Sequence, residues 1–242
     1  MEKIRKPLIA ANIKMNNLPE GALNEDSPFR ERGEADVIVI PSMMDIQRCL
    51  DARLITGAQN GDASEKPYGA FTGSIGMKML ADRGVRYVLC GHSERRKAGE
   101  TNKQVIEKAI AALEAKIHPI ICVGETISDR RKNRQEEVVS SQLDGIPFSS
   151  DGLTIAYEPV WAIGTNITAS PEDAQHMHAF IRSMMDNERG KLVRILYGGS
   201  VKPDRVSEQM IAMDDIDGFL VGGSSLILED FRKIVDISCN KI

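Results

Sequence analysis

Short apolar runs recur along the chain at residues 7–12 (PLIAAN), 36–40 (DVIVI), 53–58 (RLITGA), 85–90 (VRYVLC), 117–123 (IHPIICV), 153–158 (LTIAYE), 192–197 (LVRILY) and 216–221 (IDGFLV). Each is rich in Val, Ile, Leu or Tyr and is bounded by Gly, Pro, Asp or Asn, which is how strands covered on both faces read. The eight runs lie about 30 residues apart, the span of one βα unit.

Helical periodicity fills the intervals. In 101–116, Val105, Ile106, Ala109, Ile110, Ala112 and Leu113 form one apolar stripe, and Thr101 is placed to cap it. Ser170-Pro171-Glu172-Asp173 opens a second helix, with a capping Ser, Pro at the first helical position and early acids; it is predicted to reach about Asn187. Further helices are predicted over 130–142, 203–212 and 229–237. Pro19, Gly21 and Pro28 break up the stretch 17–32.

Eight strands alternating with helices, with no linker-like stretch, predict one domain over residues 1–242 with a parallel sheet. An open doubly wound sheet and a closed (β/α)8 barrel both fit the order. Eight units within 242 residues favour the barrel. Composition fits an ordinary folded protein: 42% hydrophobic, 27% charged, net charge −4. That mild acidity argues against nucleic acid as a partner, and the charged run 129–137 reads as a solvated helix face. No apolar run is long enough to span a membrane, and the first residues lack the apolar stretch of a secretory signal. The four cysteines, at 49, 90, 122 and 239, form no Cys-x-x-Cys pair and have no zinc-like His spacing. They read as reduced thiols of a cytoplasmic protein.

Residues capable of chemistry follow the strands. Asn12 and Lys14 come after the first, His92, Ser93 and Glu94 after the fourth, and Glu125 after the fifth. Glu158 ends the sixth. Gly198-Gly199-Ser200 and Gly222-Gly223-Ser224 follow the seventh and eighth. A barrel brings all these strand ends to one mouth. One Gly pair alone reads as a tight turn. Two pairs after the last two strands, with Lys14 after the first, fit a phosphate site, because glycine lets backbone N–H groups approach an anion. Glu158 is a candidate base, since shielding from water makes a carboxylate hold a proton more readily. His92 is a candidate acid or electrophile. His92 and Ser93 have no third orienting acid for a nucleophilic triad. His176 and His178, two apart on a helix, make a poor metal pair and read as surface or packing residues.

The segments Cys90-Gly91-His92-Ser93-Glu94-Arg95-Arg96 and Tyr157-Glu158-Pro159-Val160-Trp161-Ala162-Ile163-Gly164-Thr165 resemble signatures of the triosephosphate isomerase family. Asn12-x-Lys14-Met15-Asn16, Gly69-Ala70-Phe71-Thr72-Gly73, Cys122-Val123-Gly124-Glu125-Thr126, Tyr197-Gly198-Gly199-Ser200-Val201 and Val221-Gly222-Gly223 match in the same order. The resemblance covers essentially the whole chain. It implies a cytoplasmic glycolytic and gluconeogenic enzyme that interconverts dihydroxyacetone phosphate and D-glyceraldehyde 3-phosphate through an enediolate, with no metal or organic cofactor. It assigns the proton transfer to Glu158, polarisation of the substrate oxygens to neutral His92, charge stabilisation to Lys14 and orientation to Asn12. Glu94 is implied in proton handling or in support of Lys14. Backbone N–H groups of Gly164, Ser200 and Gly223, with Gly222 beside them, are implied to hold phosphate. These roles follow a system whose acid–base tuning and lid closure are general reference cases. The resemblance also implies a lid over Pro159, Val160, Trp161, Ala162, Ile163, Gly164, Thr165, Asn166, Ile167, Thr168 and Ala169, latched by Tyr197 and Ser200. It implies a homodimer made through the loop 66–77.

The chain departs from the family pattern in places. Asn166-Ile167 replace a usual Gly-Lys at the lid tip, Ile13 a common Trp, Ser224 a common Ala, and Ser74 an acid expected to pair with Arg95 across the dimer. The alternative readings are an isomerase of a four-carbon sugar phosphate and a non-catalytic sugar-phosphate-binding homologue.

Overall fold

The computed structural model describes residues 5–30, 33–64, 66–148, 152–163, 169–185 and 190–239. The strands are β1 (Leu8–Asn12), β2 (Asp36–Ile40), β3 (Gly57–Ala58), β4 (Tyr87–Cys90), β5 (His118–Val123), β6 (Thr154–Tyr157), β7 (Arg194–Tyr197) and β8 (Gly218–Val221). All pair in parallel, in the order β2-β1-β8-β7-β6-β5-β4-β3. The two ends of that order meet: Val39 bridges Thr56, and the Val39 N–H donates to the Ile55 carbonyl at 3.0 Å. The expected barrel therefore closes, which removes exposed sheet edges.

The helices are α1 (Ile46–Asp51), α2 (Met77–Asp82), α3 (Ser93–Lys97), α4 (Asn102–Glu114), α5 (Ile127–Arg131), α6 (Gln135–Leu143), α7 (Pro171–Ser183), α8 (Arg205–Ala212) and α9 (Leu228–Cys239). Thr101 and Gln104 cap α4 reciprocally, as the sequence suggests for Thr101. Ser170 caps α7, with Pro171 at its first turn, and α7 ends at Ser183; Asn187 lies outside the described residues. The helix predicted over 130–142 is instead two. Thr126 and Asp129 start α5 with their own capping box, and Asn133, at φ 54°, breaks the chain before α6. The stretch 17–30 forms turns without a helix, as its prolines suggest.

Strand alternation divides the side chains into two shells. Outward-facing Ile9, Val39, Val88, Ile121, Ile195 and Phe219 pack under the helices in the larger apolar cluster. Inward-facing Ala10, Ile38, Leu89, Ile120, Ala156, Leu196 and Leu220 form a separate plug inside the barrel. Each buried aliphatic side chain contributes about 1.5–3 kcal/mol relative to exposure. Below the plug, at the strands' N-terminal ends, lies a polar floor. Arg194 donates to Asp36 Oδ2 at 2.6 Å, Lys6 pairs with Asp36 Oδ1 at 2.6 Å, and His118 Nε2 meets Thr154 Oγ1 at 2.8 Å. Above the plug the strands end in the polar mouth.

Candidate active site

Asn12 is the last residue of β1 and is buried. Its Oδ1 accepts the backbone N–H of Lys14 at 3.0 Å, and the Lys14 carbonyl accepts from Gln59 Nε2 at 2.7 Å. Those bonds hold Lys14 at φ 53°, a left-handed conformation that costs a non-glycine residue about 1–3 kcal/mol. The strain aims the Lys14 ammonium across the mouth to Glu94 Oε1, 2.7 Å away.

His92 follows β4 and caps α3, its Nδ1 accepting the backbone N–H of Glu94 at 3.3 Å. That bond leaves Nδ1 without a proton and assigns the ring hydrogen to Nε2. His92 Nε2 lies 3.0 Å from Glu158 Oε1 and 3.4 Å from Asn12 Nδ2. The second oxygen, Glu158 Oε2, accepts the backbone N–H of Ser93 at 2.9 Å. Glu158 is 2% exposed and His92 5%, so the pair is almost dry.

Two glycines make room for this carboxylate. A Cβ on Gly124 would sit 1.8 Å from the Glu158 carbonyl oxygen, and one on Gly198 would sit 2.9 Å from Glu158 Cγ. Any side chain at 124 would displace the residue before the lid. Gln142 fixes the Gly124 peptide from both sides, accepting its N–H at 2.8 Å and donating to its carbonyl at 3.1 Å.

Charges in the mouth oppose one another. Burial alone pulls His92 toward neutrality, but the Glu158 carboxylate, with help from Glu94, outweighs burial and Lys14 and raises its proton affinity above the ordinary value. A second ring proton would have to occupy Nδ1 and break the bond from Glu94 N–H. The Glu94 N–H bond therefore opposes protonation of the ring, against the pull of Glu158. At Glu94 burial works to raise the carboxyl, yet the hydrogen bond and charge of Lys14 lower it on balance.

The glycine-rich end of the cleft lies beside these groups. Asn12, Lys14, His92, Glu158 and the two Gly-Gly segments share a cleft of about 480 Å³, to which Lys202 adds a further positive charge. The backbone N–H groups of Ser200 and Gly223 have no acceptor among the described residues. Both therefore remain available to oxygen atoms of an anion. Gly222 lies against the Lys14 stem, since a Cβ there would meet Lys14 Cε at 3.3 Å.

Of the expected lid, Pro159, Val160, Trp161, Ala162, Ile163 and Ala169 are described; Gly164, Thr165, Asn166, Ile167 and Thr168 lie outside the described residues. Val160–Ala162 form one 3-10 turn. Glu125, fully buried, anchors it: its carboxylate accepts from Trp161 Nε1 at 2.8 Å and from the Tyr157 hydroxyl at 3.0 Å, and its carbonyl from the Val160 N–H at 3.1 Å. Arg130 stacks on the Trp161 ring at 5.0 Å and pairs with Asp173 at 2.6 Å. This member of the charged run at 129–137 is thus more than a solvated surface group. The Tyr197 hydroxyl is buried with no hydrogen-bond partner closed among the described residues; burial pushes it up to about 12, opposed by the nearby backbone of Ala169.

Asn12, Lys14, His92, Glu94, Glu158, Ser200, Gly222 and Gly223 thus converge on one mouth, while Glu125 braces the Val160–Ala162 turn. Sequence reading missed Gln59, the Ser93 N–H and Lys202. Gln59 and Lys202 carry no local signal, and Ser93 draws attention through its hydroxyl, whereas its backbone is what bonds Glu158. His176 is exposed beside Glu136, and His178 is buried edge-on to Tyr157 at 5.8 Å between centroids. Both occupy the surface and packing roles expected. No disulfide forms among the described residues; burial pushes the Cys49 and Cys90 thiols up to about 12.

The sequence model of one protein family, Triosephosphate isomerase, matches residues 7–238. Among curated proteins, the triosephosphate isomerase of Thermoanaerobacter sp. (strain X514) is 44% identical over 250 residues, covering 96% of this chain and 100% of that protein. The triosephosphate isomerase of Hahella chejuensis is 43% identical over 251 residues, covering 96% and 98% respectively. That of Coxiella burnetii (strain Dugway 5J108-111) is 43% identical over 255 residues, covering 98% of both.

Proposed function

The chain belongs to the triosephosphate isomerase family, and from that premise we propose how its own residues interconvert dihydroxyacetone phosphate and D-glyceraldehyde 3-phosphate. The observation that carries the reading is the dry Glu158–His92 pair at 3.0 Å, facing Lys14 and the two Gly-Gly segments. The hard step is removal of a carbon-bound proton next to a carbonyl. It needs a positioned base and donors aimed at the oxygen where charge develops.

One Glu158 oxygen leaves its donor and takes the proton from the substrate carbon. The C–H electron pair becomes the carbon–carbon double bond of an enediolate, and the carbonyl oxygen takes up the negative charge. The His92 Nε2–H and the Lys14 ammonium stabilise that oxygen, with Asn12 orienting it. His92 moves a proton between the two oxygens, and Glu158 returns its proton to the neighbouring carbon. Glu94 holds the Lys14 ammonium in place. Phosphate is held by the N–H groups of Ser200 and Gly223, beside Gly222, and by Gly164 of the lid. Binding this remote group drives lid closure. Closure keeps water from the enediolate and suppresses loss of its phosphate.

A second copy of the chain completes the assembly. Tyr68 and Phe71 in the loop 66–77 are exposed, as are Met15 (97%) and Met44 (88%) near the mouth. That apolar surface supports a homodimer through this loop. Free buried thiols fit a cytoplasmic setting. No described helix is long and apolar enough to cross a membrane.

The test is a dehydrogenase-coupled assay of the purified protein with each triose phosphate, run beside a tetrose phosphate. Turnover of both triose phosphates is expected; none above background overturns the reading, and higher kcat/KM for the tetrose reassigns the substrate. Sedimentation at micromolar concentration is expected to show a dimer, and a monomer would reject that part.

A further inference from the structure

Two consecutive serines fasten the loop after β8 to both of its neighbours. The Ser224 hydroxyl donates to the Val201 carbonyl, in the loop after β7, at 2.7 Å. The Ser225 hydroxyl donates to the Gly222 carbonyl at 2.7 Å and approaches the Asn12 carbonyl at 3.5 Å. On the other side, the Ser207 hydroxyl donates to the Lys202 carbonyl at 2.6 Å. The loop after β7 is therefore clamped at two successive carbonyls, immediately after Ser200.

Neither the Ser200 nor the Gly223 N–H has an acceptor among the described residues, and the Ser224–Val201 bond ties together the two residues that follow them. Each N–H is thus one residue from an end of that bond. From this geometry we infer that Ser224 is a positioning residue for phosphate, fixing the separation of the two backbone donors before the anion arrives. The inference rests on the proposed isomerase reading for its substrate, but not for its anion. Ser224 lines the cleft, but its hydroxyl is committed to the Val201 carbonyl. It acts by removing loop freedom that binding would otherwise have to freeze, so its effect falls on affinity.

The test combines calorimetric titration of inorganic phosphate into the full-length protein with coupled-assay kinetics, for wild type, Ser224→Ala and Ser224→Thr. Ser224→Ala is expected to weaken phosphate binding about 2–5-fold, the scale of one neutral hydrogen bond. KM for glyceraldehyde 3-phosphate should rise in parallel, with kcat changing less. Ser224→Thr retains the hydroxyl and should bind phosphate like the wild type. Unchanged phosphate affinity in Ser224→Ala overturns the inference, as does equal weakening in both variants, which would make packing the cause. A wild-type protein that binds no phosphate also overturns it. Phosphate binding that depends on Ser224 in a protein without isomerase turnover would sink the functional reading and leave this one standing.

Discussion

His92 at the mouth of the barrel and His118 at its floor are both imidazoles largely removed from water, yet their proton affinities move in opposite directions. Burial pulls each toward the neutral form. At the mouth the carboxylates of Glu158 and Glu94 more than reverse that pull. At the floor Arg194 adds to it, and His118 falls to about 4. The mouth confronts charges that a reaction can rearrange, with a base, an imidazole and an ammonium within one cleft. At the floor Arg194 and Lys6 both close on Asp36, and His118 meets a neutral hydroxyl. Both layers carry an imidazole, a carboxylate and an ammonium. The difference teaches that charges paired in an open cleft can be repartnered by a substrate, while charges paired beneath the apolar plug hold strands together.

The largest expected effect tests the mouth. Glu158→Gln keeps an acceptor for the Ser93 N–H but removes the base, and the coupled assay should show kcat lower by about 10²–10⁴-fold. Wild-type-like turnover would contradict the assigned role. Lys14→Met removes the ammonium aimed at the developing oxyanion and should lower kcat/KM by about 10²–10³-fold. A loss confined to stability would place Lys14 with the floor residues instead.

A floor substitution should behave in the reverse manner. Arg194→Met leaves Asp36 with Lys6 alone and should cost about 2 kcal/mol of unfolding free energy, at the low end for a partly buried pair. Its kcat/KM should stay within about threefold of wild type. A large rate loss without destabilisation would break the comparison between the layers.

The most gradual effect is a slope. His118 and His178 have folded values near 4, against 6.5 when unfolded. The unfolded chain therefore binds more protons between those limits, and stability falls as pH drops from about 6.5 toward 4. Each residue adds up to about 1.4 kcal/mol per pH unit to that slope. Urea unfolding at a series of pH values should show a shallower acid slope for His118→Gln. His92, raised instead, contributes stability below its unfolded value that is lost as pH rises through the folded one. His92→Asn should remove that opposite trend, and a steeper alkaline decline would contradict the assignment.

Much of this architecture was legible because its determinants are local. The run DVIVI forms β2 with no change of boundary, and Thr101 caps α4 through the residue three positions on. The mouth residues were legible because they follow strand ends in motifs shared with a known family. Less was readable where distant parts decide. Of the run 53–58 only Gly57 and Ala58 enter a ladder, because Arg53 turns at φ 58° and the chain reaches β2 only by a bridge. Helices α1, α2 and α3, of five or six residues, are too short to show a period. The floor was hidden because Asp36, His118 and Arg194 sit inside runs that read as apolar. Their partners lie on other strands.

The layered interior has one more effect. Between the two polar ends the barrel axis is filled by Ala10, Ile38, Leu89, Ile120, Ala156, Leu196 and Leu220, which offer no relay for hydrogen ions. A hydrogen lifted onto Glu158 therefore trades places with bulk solvent chiefly through the rim. The fraction of an isotopic label that survives from reactant to product would thus gauge how tightly that rim seals during each catalytic cycle.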